Sequence, residues 1–391
     1  MRCRRLSTTA AVRASAVALC AIVASACSDS ATTAPAMCAI PLEDFYDAGP
    51  ARSEIPALTN PVLATRGTPD IAYLTLGDLV IGFTFNGQPA AIPHKFLWHH
   101  EVVNMEIPGE AITVSYSPLT GASVVYDRTP SELGALDVSN YVLNSGLVMT
   151  DPDGSLRPQM SPVASCGPND GSSLPQISFE VMTLGAWFGQ NPSTWVASSA
   201  NDPDILYTLF PYGSNYQNPD NSQLVYPIEG GVDPRRPPKE RVLGVRSGTG
   251  GIAFPYTLLD QLRGAPNVFV SAANATLDGE AIVVFWNALA QGAHAYRAEV
   301  DGQRLHFELV EGQRRDVETG STWNFAGQAV DGPLDGAELE PITDVISSYW
   351  FAWAAYQPDT DVFDPPVAAS LLPLSQLVIP TEGVDWELAT R

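Results

Sequence analysis

Charged residues are scarce in this 391-residue chain, and basic residues are the scarcest. Asp, Glu, Lys and Arg make up 16% of the residues, and 43 acidic residues face 20 basic ones, for a net charge of −23. Four of the basic residues (Arg2, Arg4, Arg5 and Arg13) precede position 27, so 16 remain beyond it and the net charge there is −27. No Lys/Arg cluster relieves this charge, and an acidic surface repels phosphate backbones. We therefore expect no nucleic-acid binding.

Long hydrophobic runs are also missing. The first residues, "MRCRRLSTTAAVRASAVALCAIVASACSDS", combine a basic start with an apolar run over 14–24 that is too short to span a bilayer, which predicts an export signal over 1–26. The four residues that end at Cys27 are similar to a bacterial lipobox, although Ala24 stands where Leu is usual. An ordinary signal peptide cut near Ala26 is the alternative. The polar stretch "SDSATTAPA" that follows favours lipidation of Cys27.

This leader predicts the location of the protein. We expect an exported protein of the bacterial cell envelope, anchored to a membrane through lipid on Cys27 and facing the periplasm or the cell surface. We expect the membrane to be a partner through this anchor alone, because no other run in the chain is long enough to cross it. Residues 27–54 then form the lipidated cysteine, a flexible tether and an N-terminal arm.

Cysteine is rare as well, with five residues in all. Cys3 and Cys20 leave with the predicted signal, and Cys27 is the candidate lipid site. The remaining pair, Cys38 and Cys166, predicts a disulfide in an oxidising compartment. Two free thiols or a metal-binding pair are the alternatives.

The 33 Pro and 31 Gly residues predict many turns and few long helices. The segment "DLVIGFTFNG" alternates polar and apolar residues and ends at Asn-Gly, which predicts a hairpin. "AITVSY", "SVVYD", "AIVVFW" and "RLHFELV" are β-branched or aromatic runs between turns and predict strands. Short helices are predicted in "FPYTLLDQL" and "DVISSYWFAWAAY". The fold class is therefore mainly β, a β-rich α+β protein.

One stretch of sequence occurs nearly twice. "GEAITVSYSPLTGASVVY" (109–126) matches "GEAIVVFWNALAQGAHAY" (279–296) at 7 of 18 positions, and four further segment pairs match in the same order. This order predicts two tandem homologous β-rich domains that pack together, at 55–200 and 241–363. An ordered connector rich in Pro and Asn over 201–240 joins them, and a C-terminal extension follows over 364–391.

Several segments together resemble one bacterial family, the domain of unknown function 3179: "LVIGFTFNGQPAAIP", "WHHEVVN", "VSYSPLTGASVVYDR", "NSGLVMTDPDGSLRPQM" and "ETGSTW". The resemblance covers roughly residues 55–363. Members typically have Cys, in some cases selenocysteine, at the position of Ser117, and Thr or Cys at that of Thr120. A reactive sulfur or selenium near a His-Glu pair implies redox or metal chemistry, but no activity is established for the family.

This chain departs from the family pattern in three places. Ser117 replaces the cysteine, Met105 replaces an aspartate and Arg157 replaces a tryptophan. A serine hydroxyl cannot perform thiolate redox chemistry. In the second copy, Asn287 and Ala290 stand at the positions of Ser117 and Thr120.

The candidate site is His100, Glu101 and Ser117 as catalytic residues, with His100 and Glu101 as possible ligands of a divalent metal. If the segment is a strand, His99 and His100 face opposite sides of it, and a hydrogen-bonded structural histidine is the alternative. "SPLTG" lacks the G-x-S-x-G pattern of a nucleophile elbow.

Asn104, Thr120 and Asp151, which lie in the segments that carry the resemblance, are candidate binding residues. "DPDGS", which begins at Asp151, lacks the ligand spacing of a calcium loop.

We therefore expect a cell-envelope lipoprotein of unknown activity that is a binding or scaffold protein, with a protein or small-molecule ligand that the sequence does not identify. The alternative is a metal- or redox-dependent enzyme with its site around His100, Glu101 and Ser117.

Overall fold

The structure is a computed structural model that describes residues 38–161, 163–248, 250–366, 369 and 371–378. The predicted signal, Cys27 and the last part of the C-terminal extension lie outside these residues. The fold is mainly β, with 38% of residues in strands and 14% in helices. No helix among the described residues is both long enough and apolar enough to cross a membrane.

Most elements are short strands. In chain order they are β1 Tyr46–Asp47, β2 Leu58–Thr59, β3 Leu63–Thr65, β4 Leu79–Phe85, β5 Gln88–Pro93, β6 Val102–Ile107, β7 Glu110–Ser117, β8 Ala122–Asp127, β9 Asp137–Leu143, β10 Gly146–Thr150, β11 Leu156–Pro158, β12 Glu180–Thr183, β13 Trp195–Ala197, β14 Arg241–Ser247, β15 Gly250–Pro255, β16 Val270–Leu277, β17 Glu280–Asn287, β18 Gly292–Arg297, β19 Glu299–Val300, β20 Gln303–Arg304, β21 Phe307–Val310, β22 Gln313–Asp316, β23 Thr322–Trp323, β24 Ala329–Asp331, β25 Val345–Tyr349 and β26 Asp361–Val362.

Helices are few and short. The α-helices are α1 Pro50–Ser53, α2 His94–His100, α3 Leu184–Gln190, α4 Tyr256–Gln261 and α5 Trp350–Tyr356. Single turns of 3-10 helix occur at Leu42–Asp44, Pro69–Ile71, Thr129–Ser131, Ser199–Asn201 and Leu374–Gln376. The short helix predicted in "FPYTLLDQL" corresponds to α4, and the second half of "DVISSYWFAWAAY" forms α5. The helix prediction was wrong for Val345–Tyr349 in the first half of that segment, which form strand β25.

The strands form sheets of two to eight strands. Their orders in the described residues are β1-β9-β10-β11, β12-β4-β5-β13-β3, β2-β6-β7-β8-β25-β14-β15-β26, β16-β17-β18, β19-β20 and β21-β22-β23-β24. The predicted hairpin is β4–β5, which turns at Asn86 and Gly87 with φ of 51° and 66°. A two-residue turn with both φ values positive matches the twist of the paired strands, and Asn-Gly adopts it readily.

The strand order β12-β4-β5-β13 has a counterpart in β25-β14-β15-β26. In both sets the first three strands are antiparallel and the last is parallel to its neighbour. The antiparallel meander β6-β7-β8 likewise has a counterpart in β16-β17-β18. These two groups of strands are therefore arranged alike in residues 55–200 and 241–363.

The sheets nevertheless cross the predicted domain boundary. The eight-stranded sheet joins β6, β7 and β8 to β14, β15, β25 and β26, and Ser123 pairs with Ser347 where β8 meets β25. Beside this junction the Tyr349 N–H donates to the Thr120 carbonyl (2.7 Å). In the corresponding place, the Thr183 N–H donates to the Ala290 carbonyl (2.8 Å). We call residues 55–200 the first half and residues 241–363 the second half. Each half thus continues the backbone hydrogen bonding of the other.

Two glycines inside strands make room for tryptophans. A Cβ atom on Gly82 in β4 would overlap the ring of Trp187 in α3, and one on Gly244 in β14 would overlap the ring of Trp353 in α5. Both tryptophans are buried. A glycine within a strand commonly marks such a close approach, and here it lets each helix pack directly on its sheet.

The N-terminal arm is attached to the fold covalently. Cys38 and Cys166 form a disulfide between residues 128 positions apart. The Ile40 N–H also donates to the Ser165 hydroxyl (2.8 Å). The arm is therefore held beside the loop that follows β11.

The connector 201–240 packs against the fold rather than extending from it. Tyr207 and Tyr216 are buried, and the Tyr216 hydroxyl donates to the Leu119 carbonyl (2.8 Å). The Lys239 N–H donates to the Pro219 carbonyl (3.0 Å), which closes the connector on itself. The connector thereby becomes part of the wall of a cavity described below.

The glycine–tryptophan contacts predict a selective loss of stability. Gly244→Ala is expected to lower the free energy of unfolding by about 1–3 kcal/mol, because the added methyl group overlaps Trp353 in a packed core. Gly250→Ala in the neighbouring strand is the control, since no atom of the described residues beyond its chain neighbours lies within 4 Å of its Cβ position. Denaturant unfolding measures both, and equal losses in the two variants would contradict the proposed role of the contact.

Candidate functional site

The histidine-rich segment is a helix, not a strand. Helix α2 begins after Pro93 and ends at His100, and His94 and His100 are both buried. Glu101 has a φ of 56°, its N–H donates to the Leu97 carbonyl (2.9 Å), and its own carbonyl accepts from the Tyr116 N–H (2.8 Å). The helix therefore ends in a left-handed residue that joins it to β7.

Both ring nitrogens of His100 have partners. Nδ1 lies 2.9 Å from the Pro56 carbonyl, which can only accept, so Nδ1 carries the proton and donates. Nε2 lies 2.9 Å from the Tyr207 hydroxyl, which then donates to it. Burial lowers the pKa of His100, and burial with the nearby Asp202 raises the pKa of Tyr207 to about 12, so the imidazole is neutral and the phenol keeps its proton. No lone pair of His100 faces an open space.

Glu101 is held in a buried ion pair. Its Oε1 accepts from Arg52 Nη1 (2.6 Å), and its Oε2 accepts from Arg52 Nη2, so the contact is bidentate. Burial disfavours the charge of Arg52, but the Glu101 carboxylate keeps the pKa of this guanidinium above its ordinary value. The pair fastens α1 to the end of α2. Among the described residues, no group of three or more His, Cys, Asp or Glu side chains could hold a metal ion.

Ser117 and Thr120 lie at the two ends of the turn that follows β7. The Thr120 N–H donates to the Ser117 carbonyl (3.2 Å), and both hydroxyl groups are buried without a hydrogen-bond partner in the described part of the chain. No hydrogen bond joins Ser117 to His100 within that part. In the corresponding turn after β17, Asn287 Oδ1 accepts from the N–H groups of Leu289 and Ala290. The first residue of the turn after β17 therefore stabilises that turn through its side chain, whereas the side chain of Ser117 makes no such hydrogen bond in the described residues.

Asn104 connects two strands to a loop. Its Oδ1 accepts from the Thr113 hydroxyl (2.8 Å) and the Leu136 N–H (3.0 Å), and its Nδ2 donates to the Leu136 carbonyl (2.9 Å). This side chain is buried and its polar atoms are in use. It stabilises the loop before β9.

Asp151 organises the loop "DPDGS". Its carboxylate accepts from the Ser155 N–H (2.9 Å), from Arg157 Nε (3.0 Å) and from Asn169 Nδ2 (3.0 Å). Both carboxylate oxygens therefore have internal donors. The loop obtains its conformation from these hydrogen bonds.

A cavity of about 630 Å³ lies elsewhere, beside the junction of β8 and β25. Its wall is formed by three parts of the chain: β7 with its turn and α2, the connector, and the second half. The lining residues are His94, Tyr116, Gly121, Ser214, Asn215, Gln217, Asn218, Pro219, Arg236, Pro237, Lys239, Glu240, Arg241, Tyr256, Thr257, Leu258, Gln261, Tyr349 and Leu374. Its volume lies within the range usual for sites of small molecules.

Aromatic rings make up much of the cavity wall. The ring of His94 stacks on that of Tyr116 at 4.1 Å between centroids, and His94 Nε2 lies 3.3 Å from the Ser123 hydroxyl. The Tyr349 ring passes over Gly121, where a Cβ atom would come within 2.9 Å of it. Gly121 also has a φ of 62°, so a glycine suits both the turn and the ring above it.

Three basic side chains line the cavity, and each has different contacts. Arg236 donates to both carboxylate oxygens of Glu240 (2.7 Å each). Lys239 Nζ donates to the Gln223 carbonyl (2.7 Å) and lies 3.4 Å from the centroid of the Tyr216 ring. The guanidinium of Arg241 lies 4.9 Å above the Tyr256 ring, and its two terminal nitrogens are buried without an acceptor in the part of the chain that the structure describes.

The sequence contains a signal for this cavity, which the strongly negative net charge conceals. The segment "RRPPKER" (235–241) has four basic residues, a cluster that contradicts the expectation of no such cluster in this acidic chain. Backbone hydrogen bonds from α5 to Pro238 and Glu240 hold this segment in place (2.9 and 2.8 Å).

The burial of Lys239 predicts a pH dependence. Burial lowers its pKa from 10.5 to about 8, so between these values the unfolded chain binds a proton that the folded chain has released. The stability of the wild-type protein should therefore rise relative to Lys239→Met as the pH increases from about 8 to 10.5. Urea unfolding at several pH values measures this, with Lys95→Met as the control for loss of a lysine. A constant difference between wild type and Lys239→Met would contradict the lowered pKa.

The partners of His100 predict the outcome of elemental analysis. We expect no stoichiometric metal in wild-type protein prepared without a tag, because both ring nitrogens are already hydrogen-bonded. His100→Ala should leave the metal content unchanged but destabilise the fold by about 2–4 kcal/mol, because it empties a buried site and leaves two polar groups unpaired. A metal present at one atom per chain and lost in His100→Ala would restore the metal-site hypothesis.

Comparisons with known proteins agree with the resemblance noted in the sequence. The family described as "Protein of unknown function (DUF3179)" matches residues 52–360, which is most of the chain. No curated protein and no solved structure matches. The matched range includes every strand of the two arrangements except β26, and every cavity-lining residue except Leu374. The chain therefore belongs to this family of proteins of unknown function.

Proposed function

We propose that this protein is an exported lipoprotein of the cell envelope that binds a small molecule in the cavity beside the β8–β25 junction. The basic, apolar and small-residue parts of the leader support export, and the lipobox-like residues before Cys27 support a membrane anchor. A tether would then place the folded part near the membrane surface. The binding function rests on the cavity and on Arg241 in its wall.

We infer that the two halves arose by duplication of one domain. The shared strand orders, the paired glycine–tryptophan contacts and the reciprocal hydrogen bonds at Thr120 and Ala290 support this inference. The halves then diverged at the turns that follow β7 and β17. Only the turn after β7 has the glycine over which the cavity-lining Tyr349 ring passes.

The observation that carries the binding function is the unpaired guanidinium of Arg241. Buried charged groups in folded proteins are nearly always paired, since an unpaired charge away from water is costly. Arg241 has no acceptor for either terminal nitrogen in the described residues, yet it lines a cavity large enough for a small molecule. A bound ligand would supply the missing acceptors.

The cavity is built on rigid elements, which favours binding. Arg241 begins β14 and pairs with Tyr349 across the sheet, and Tyr256 begins α4. The Tyr256 hydroxyl lies 3.1 Å from the Ser347 hydroxyl, which holds the ring in place. A preformed wall lowers the entropy lost when a ligand is bound.

The alternative hypotheses have less support from the geometry. A metal- or redox-dependent enzyme would use His100, Glu101 and Ser117, but the first two have complete sets of internal partners and the third is buried apart from the cavity lining. A pure scaffold would not need an unpaired arginine in a cavity. Binding of a small molecule accounts for that arginine.

A ligand screen tests the proposal. Compounds that enter the cavity should raise the melting temperature of the wild-type protein. A ligand at 100 times its Kd adds about 2.7 kcal/mol to the free energy of unfolding. Leu258→Trp should abolish these shifts, because Leu258 lines the cavity and the indole fills part of it.

The matched control is Leu206→Trp, since Leu206 is exposed and lies outside the cavity lining. This variant should respond to each compound as the wild type does. If no compound stabilises the wild type, or if the two variants respond alike, the cavity is not a ligand site.

A further inference from the structure

Arg241 is half-buried, and its terminal nitrogens differ from those of the buried arginines of the described chain in what they contact. Arg52 is paired with Glu101, Arg263 with Asp260, and Arg314 donates to the backbone carbonyls of Ser271 and Trp286. Within the described residues, Arg241 alone has both Nη1 and Nη2 buried with no acceptor. Two parallel N–H donors on one guanidinium form the fork that binds a planar oxyanion in a bidentate manner.

The neighbouring side chains leave this fork free. Glu240 is the acidic residue of the cavity lining, and its carboxylate already accepts from Arg236 and from the Thr257 hydroxyl. Lys239 points its ammonium at the Gln223 carbonyl and the Tyr216 ring. The charge of Arg241 is thus the one that a ligand can neutralise most directly.

The surroundings of the fork indicate the rest of the ligand. The guanidinium lies over the Tyr256 ring, and the rings of Tyr349 and of the His94–Tyr116 stack line the same cavity. Flat aromatic walls favour a flat, unsaturated body, because rings stack with offset faces and exclude water. The amide group of Gln261 is also in the lining and can orient a polar substituent.

The charge of the cavity wall selects among oxyanions. A carboxylate carries one charge and lies in the plane of the guanidinium fork. A phosphate monoester carries nearly two charges at neutral pH, and its second charge would need Lys239, whose ammonium already donates to the Gln223 carbonyl. Among the three cations of the wall, Arg241 is the one whose terminal nitrogens have no acceptor in the described residues, and its fork suits one carboxylate.

We propose that the cavity binds a small monocarboxylate with a flat, unsaturated body, its carboxylate accepting two hydrogen bonds from Arg241 Nη1 and Nη2. This inference rests on the proposed function, since it names the ligand class of the same cavity. Tyr256 below the guanidinium and Gly121 below the Tyr349 ring set the shape of the site.

Calorimetric titration of the purified protein with three probes tests the inference: naphthoate, the neutral naphthamide of the same shape, and naphthyl phosphate. Naphthoate should bind the wild type at least about tenfold more tightly than naphthamide, as expected for a hydrogen-bonded charge pair. Naphthyl phosphate should bind more weakly than naphthoate.

Two substitutions at Arg241 assign the effect to its fork. Arg241→Gln should weaken naphthoate binding by about 10- to 100-fold and leave naphthamide binding within about twofold of wild type. Arg241→Lys keeps the charge but loses the fork, so its affinity for naphthoate should lie between that of the wild type and that of Arg241→Gln. The melting temperature of ligand-free Arg241→Gln should equal or exceed that of the wild type, because the change removes an unpaired buried charge.

The outcomes separate this inference from the proposed function. Equal binding of naphthoate and naphthamide, lost for both in Leu258→Trp, would overturn the carboxylate inference and leave the cavity as a ligand site. Tighter binding of naphthyl phosphate would replace the carboxylate with a phosphate. If neither naphthoate nor naphthamide binds the wild type, the inference fails, and the compound screen with Leu258→Trp decides the proposed function by itself.

Discussion

The two reciprocal backbone hydrogen bonds between the halves organise this molecule. The Tyr349 N–H meets the Thr120 carbonyl, and the Thr183 N–H meets the Ala290 carbonyl, so the turn of each half receives the end of a strand from the other. Because the donors and acceptors are backbone groups, this junction depends on strand geometry more than on side-chain identity. The cavity lies beside the first of these contacts, which explains why its wall combines residues from both halves.

Charge is distributed unevenly over this fold. The chain is strongly acidic, yet three of its few basic residues line one cavity with a single acidic neighbour among them. A low-dielectric cavity of this kind concentrates field and attracts anions that the remaining surface repels. Arg241 is the first residue of β14, so the sheet rather than a loop holds the backbone that carries its guanidinium.

The His-Glu pair shows how a cluster of titratable residues can be structural. His100 joins α2 to Pro56 and to Tyr207 of the connector, while Glu101 joins it to Arg52 of the arm. Each of these contacts spans more than 40 residues of sequence, so the pair gathers three distant segments. Such a role demands the same residue types as catalysis does, because both require directed hydrogen bonds in a buried setting.

The sequence by itself determined the fold class, the hairpin at Asn86-Gly87, the short helices α4 and α5, and membership of the family, because these depend on local alternation, turn chemistry and extended similarity. The sequence left open a strand at His99 and His100, whereas these residues end helix α2, which begins after Pro93. Only the tertiary structure decided which side chains meet. The sheets join strands from both halves, and the partners of His100, Glu101 and Arg241 come from segments far apart in the chain. Hydrogen-bond satisfaction is a property of the packed chain, so the guanidinium fork of Arg241, which has no acceptor among the described residues, could be recognised only after the other partners were in place.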